Sequence, residues 1–206
     1  MMKRVIFYIF VLIVASGCSL QTTVPANTEY QLDIKQSTQH YGSKGCKEYI
    51  LQVKNVDSYN QIQNRTMYYG IGDYVLAAYS QSIWQEAPSK AINTILVKEL
   101  RETGIFKDVI SARSRVKPDL VLEYSVGSFI QNFSEDRKSS KVDVVIHFSL
   151  IDYKSLKILY SKTEQKSSTP ASLDAIGGVE SLSSALSDVL QENSLWLDDI
   201  CQQEIR

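Results

Sequence analysis

Histidine is almost missing from this chain of 206 residues: there are two, His40 and His147. General acid–base chemistry at neutral pH draws on histidine more than on any other side chain, so a histidine-based catalytic site has little to build from. Other catalytic signatures are missing too. The sequence holds no Gly-x-Ser-x-Gly elbow, no His-Glu-x-x-His pair, no glycine loop for phosphate and no Cys-x-x-Cys. Neither sign of charge dominates, with 22 basic against 23 acidic residues and a net charge of −1. A chain without a concentrated basic patch lacks the electrostatic footprint of a nucleic-acid binder. Long apolar runs are scarce as well. Residues 5–14 form one of about ten residues, too short for a stable membrane-spanning helix.

That run is the first informative feature. Lys3 and Arg4 precede it, and Val14-Ala15-Ser16-Gly17-Cys18 follows it. A basic start, a short apolar stretch and small residues before a cysteine resemble a bacterial lipoprotein signal. The resemblance implies cleavage after residue 17, diacylglycerol (palmitate-type acyl chains) on Cys18 and acylation of the new amino terminus. Each buried methylene contributes roughly 0.8 kcal/mol, so three chains would anchor the protein for its lifetime. Ser19, where aspartate does not stand, implies sorting to the outer membrane under the enteric rule.

Removing residues 1–17 leaves 189, enough for one domain with a full core, and a net charge of about −3. The expected organisation is a signal peptide over 1–17, a small, polar, lipidated tether over 18–29 and one domain over 30–206. With Cys18 assigned to lipid, Cys46 and Cys201 remain as an even pair in a compartment that permits disulfides. A bridge between them is the candidate pairing, and two separate thiols are the alternative.

Period-two patterning predicts strands over 49–56, 66–71, 120–130, 142–150 and 156–165. The last three form an antiparallel meander. Residues 106–112 read as short and extended, and 74–84 as extended running into a short helix. Ser89 is the candidate N-cap of a helix whose Ile92, Ile95, Leu96 and Leu100 share one face and which stops at Gly104. Leu173, Ile176, Val179, Leu182 and Leu186 continue a helical stripe to about residue 199. The sum is an α/β fold of the α+β type: one domain, a mixed and largely antiparallel sheet, and main helices at about 88–104 and 172–199.

Asp143 and His147 lie four apart on one strand face, with Glu123 on a neighbouring strand, and are the sharpest catalytic candidates. A solvated outer sheet face explains them better. The 12 tyrosines are the more unusual feature. Tyr68, Tyr69 and Tyr74, close to Tyr79 and Trp84, are the candidate partner-binding residues, because amphipathic rings suit interfaces.

The order of several short words points further. Tyr30-Gln31-Leu32, Ile50-Leu51-Gln52-Val53 and Met67-Tyr68-Tyr69 come first. Leu76, Tyr79 and Trp84 with Ala87-Pro88, then Gly104-Ile105-Phe106, Asp119-Leu120-Val121-Leu122-Glu123 and Phe129-Ile130-Gln131-Asn132-Phe133 complete them. The sequence resembles the ABC-type transport auxiliary lipoprotein family, which includes the paraquat-inducible protein C lipoproteins. The resemblance implies an outer-membrane, periplasm-facing lipoprotein that partners the MCE-domain protein of an ABC-type lipid transport system. It implies no catalysis, cofactor or metal, and homo-oligomerisation stays open. The rival reading is a structural or regulatory lipoprotein docking another envelope machine, for secretion or cell wall, without touching lipid.

Overall fold

The computed structural model describes residues 26–34, 45–56 and 58–203. Eight strands and two helices follow one another as β1 (Thr28–Tyr30), β2 (Ile50–Asn55), β3 (Thr66–Ile71), β4 (Val75–Trp84), α1 (Pro88–Thr103), β5 (Asp108–Ser111), β6 (Leu120–Phe133), β7 (Ser140–Asp152), β8 (Lys157–Ser168) and α2 (Ala175–Gln202). A short 3-10 turn spans Asn60–Ile62. The fold is a single α+β domain with an open mixed sheet.

The sheet is organised by β6. Along one edge β6 pairs antiparallel with the whole of β7, which pairs with β8, giving the expected meander. The other edge is shared. Residues 120–124 of β6 pair parallel with β2, and 131–133 pair parallel with β3. The sheet therefore forks into two wings, β2–β5 and β3–β4–β1. In the crotch, backbone groups of β6 that no strand reaches find side chains. The Tyr59 hydroxyl accepts from the Phe129 N–H at 2.7 Å and donates to the Phe129 carbonyl at 2.8 Å. Buried backbone polar groups need such partners.

Gly127 sits where the β6–β7 register shifts between Val126 and Ser128. An extra residue reverses which side chains face inward. Before it Leu120, Leu122, Tyr124 and Val126 are buried, and after it Phe129, Gln131 and Phe133. That change of parity breaks the alternation legible in the sequence, although β6 runs on to Phe133.

Val142, Val144, Ile146, Phe148 and Leu150 of β7 fill the core beneath α2, and α1 lies over β2 and β5. At about 25 cal/mol per Å² of apolar surface removed from water, these layers dominate stability. The chain after β1 crosses the helical layer. Leu32 and Ile34 pack on the core, and Ser183 Oγ of α2 accepts from the Asp33 N–H. Beyond it Cys46 is bonded to Cys201 at the end of α2, with Cα atoms 5.3 Å apart. Gly45 lies so close to the Cys201 carbonyl that a side-chain carbon would collide with it.

Four local expectations change. Residues 75–84 form one continuous strand with no helix, because β3 and β1 take its backbone groups from both sides. Helix α1 begins on Pro88, whose missing N–H costs nothing at the first helical position, and its N-cap residue is Ala87. Ser89 is not the cap; its hydroxyl reaches Gln63. Gly104 does end that helix in the left-handed conformation, at φ 65°. Helix α2 spans 175–202, capped by Asp174, whose carboxylate accepts from the Gly177 N–H at 3.0 Å. Thr28 and Glu29 belong to β1 although their composition is that of the tether.

Candidate functional site: the β3–β4 hairpin

The expected lipidation site Cys18 lies outside the described residues, as does His40. Among the described candidates, Tyr68, Tyr69 and Tyr74 all fall on the β3–β4 hairpin, in three different settings. Tyr69 is held by rings. Its centroid is 4.6 Å from Tyr79 and 5.4 Å from Phe133, the latter edge-on. The Tyr79 hydroxyl donates to Gln131 Oε1 at 2.9 Å, and Gln131 Nε2 donates to Ser140 Oγ at 2.9 Å. Burial pushes the Tyr79 phenol well above its ordinary range, and the Asp174 carboxylate adds to this. Tyr79 therefore stays protonated and works as a donor.

Tyr68 stands half-buried on the opposite face of β3, paired with Ala78. Tyr74 is apart from both, almost fully exposed in the turn. A register shift in the β3–β4 pairing, between Thr66–Ile83 and Tyr68–Ala78, places Tyr79 inside an irregular stretch of β4. Trp84, at the far end of β4, is buried and 6.1 Å from the Phe129 ring.

The carboxylate and histidine candidates do not converge. Glu123 pairs with Lys54 at 2.9 Å. His147 Nδ1 lies 2.8 Å from Thr163 Oγ1. Burial alone would raise the Asp143 carboxyl, but hydrogen bonds from Ser167 and Lys141 outweigh it and hold the group below the usual aspartate range. Each is satisfied by its own cross-strand neighbour, as on an ordinary solvated sheet face. Among the described residues no group of three or more His, Cys, Asp or Glu gathers to hold a metal ion.

One polar cluster was not read from the sequence. Lys162, Glu164 and Lys166 occupy alternate positions on the helix-facing side of β8. Lys162 pairs with Glu164, and Lys166 with Glu192 of α2. Burial raises the Glu164 carboxyl, whereas the Lys166 ammonium lowers that of Glu192. Charges pointing inward along an edge strand discourage another strand from adding there. The i, i+2, i+4 spacing of the three charges was the available signal, but their partner on α2 is 26 residues from Lys166.

The described clefts are open and their lining is mixed, with Tyr30, Leu32, Trp84, Pro88 and Ile95 making one small cleft mostly apolar. A cleft of about 620 Å³ runs along α2 between Asp33, Glu180, Ser183 and Asp188. Acids and hydroxyls make a poor lining for an acyl chain. The interior beneath is filled, with Leu51, Leu122, Tyr124, Ile146 and Leu186 fully buried.

Together these features define a class: an α+β domain with an aromatic hairpin, a packed interior and separated polar groups. A sequence model described as ABC-type transport auxiliary lipoprotein component matches residues 30–193, and the chain belongs to that family. Among solved structures it is similar to a Xanthomonas campestris protein. That match has a TM-score of 0.75 and 15% identity, covering 85% of this chain and 97% of the other. An uncharacterised protein matches at TM-score 0.60 and 14% identity, covering 85% and 99%. At these identities the two share the fold. No curated protein sequence matches the chain.

Proposed function

We propose that this protein is the outer-membrane lipoprotein of an MCE-type ABC lipid transport system, anchored through Cys18 with its domain in the periplasm. In that role it is a non-catalytic docking component whose partner is the system's MCE-domain protein. Family membership carries the reading. The filled interior, with its large apolar side chains fully buried, favours docking over carriage of lipid inside the domain. The β3–β4 hairpin is the docking element: Tyr68 presents the transporter-facing side, and Tyr69 supports it from the core side.

Two measurements test this. Cys18→Ala abolishes labelling by a palmitate analogue and outer-membrane fractionation, and label retained on the variant would end the lipoprotein assignment. The tagged lipoprotein copurifies from solubilised membranes with an MCE-domain protein. Recovery with secretion or cell-wall components instead would favour the rival docking role.

A further inference from the structure

We infer that the tip of the β3–β4 hairpin inserts into the surface of the bilayer that holds the lipid anchor. The inference rests on Cys18 being lipidated. The tip presents Tyr74 at 96% exposure, Val75 at 53% and Leu76 at 47%. Leu173 and Ile176, 49% and 48% exposed, lie at the same end, since α2 begins there and its Gly178 packs on Gln131, the partner of Tyr69. Apolar side chains gathered at one end and led by a tyrosine have the make-up of a membrane-interface contact.

The path of the chain selects this end. Strand β1 is parallel to β4, with Thr28 opposite Ser82, so the residues before Thr28 leave in the direction of the tip. Seven residues of β4 separate Ser82 from Val75, no more than about 23 Å at 3.3 Å per residue. Ten residues separate Cys18 from Thr28, a reach of about 33 Å. The anchor can therefore lie level with the tip with slack to spare.

The other exposed apolar end, Leu156 and Ile158 beside the β7–β8 turn, is placed differently. Level for level it lies about eight residues back along β6 from Thr28, about 26 Å in the direction opposite to that from which the chain enters β1. Reach alone does not separate the two ends; the direction of β1 does, because a tether bound for this end would have to turn back on itself.

Charge indicates the kind of lipid contact. Around the tip Asp73, Glu135, Asp136 and Asp174 outnumber Arg137, Lys138 and Lys141, so insertion depends on apolar side chains and not on attraction to anionic headgroups.

The test uses the full-length lipidated protein reconstituted into vesicles of phosphatidylethanolamine and phosphatidylglycerol containing dibrominated acyl chains. Tryptophan reporters Y74W and Y153W mark the two ends, with the signal of the unsubstituted protein subtracted. The Y74W fluorescence is quenched at least twofold, shifts to the blue and is insensitive to added salt, while Y153W is unaffected. Y74W left unquenched on vesicles that carry the protein overturns the inference and leaves the anchor standing. Quenching of Y153W alone overturns it as well. If Y74W is unquenched and Y74S loses copurification of the transporter, the tip belongs to the protein partner. Protein that does not float with vesicles refutes lipidation, and this inference with it.

Discussion

The Tyr59 hydroxyl stands in for a strand. It serves both the N–H and the carbonyl of Phe129 where neither wing of the sheet reaches β6. Burial drives the phenol well above its ordinary range, so it remains a donor at any physiological pH. Tyr59→Phe keeps the ring and strands both backbone groups, at an expected cost of about 1–3 kcal/mol. A urea unfolding midpoint equal to that of the unsubstituted protein would show that the hydroxyl does not hold the fork. Asp174 is the second single-residue device. Hydrogen bonds from Ser172 and the Gly177 N–H hold its carboxyl below the ordinary value of 3.8. Its capping contribution is therefore whole above about pH 4 and fades as pH falls through the lowered folded-state value. Asp174→Ala should cost about 1 kcal/mol at neutral pH and lower the melting temperature by a few degrees. A loss that persisted undiminished at pH 2 would contradict a carboxylate cap.

At the scale of the element, the proposed role divides the β3–β4 hairpin into a supporting and a docking face. Tyr69→Ala removes two ring contacts of about 0.5–1.5 kcal/mol each, so its melt should fall by several degrees. Tyr68→Ala should leave the melt within a degree or two and weaken recovery of the transporter. If both variants lose stability while binding survives, the interface lies elsewhere. The elements differ in how far the sequence reveals them, for physical reasons. Strand β7 and helix α1 each bury one regular stripe, Val142 to Leu150 in twos and Ile92 to Leu100 in threes and fours, so period alone finds them. Strand β4 was mistaken in part because its pairing with β3 loses register around Tyr79. The end of β6 was hidden by the bulge at Gly127. Strand β1 is three residues long and exists only because β4 lies beside it. The grouping of Tyr68, Tyr69 and Tyr74 on one hairpin was legible, but the setting of Tyr69 depends on Phe133 and on Tyr79 held by Gln131, which arrive from far along the chain.

Across the whole molecule, the Cys46–Cys201 bond closes a loop of 155 residues and fastens the crossing segment to the end of α2. Removing the cross-link restores loop entropy worth up to about 5 kcal/mol in the chain-entropy model. Protein made in the periplasm and alkylated without reductant should show an intact mass free of label on these cysteines, and C46S/C201S should melt well below it. Two labelled thiols would refute the bond in the cell. The direction of β1 has a mechanical meaning. A pull on the tether toward the tip acts along β1 and not across it, so the hydrogen bonds to β4 are sheared together instead of being unzipped one after another. Should β1 slip, the crossing segment would pay out only as far as Cys46. There the load would pass along the chain to β2 and through the disulfide to α2, so that slippage stops short of the other seven strands and both helices.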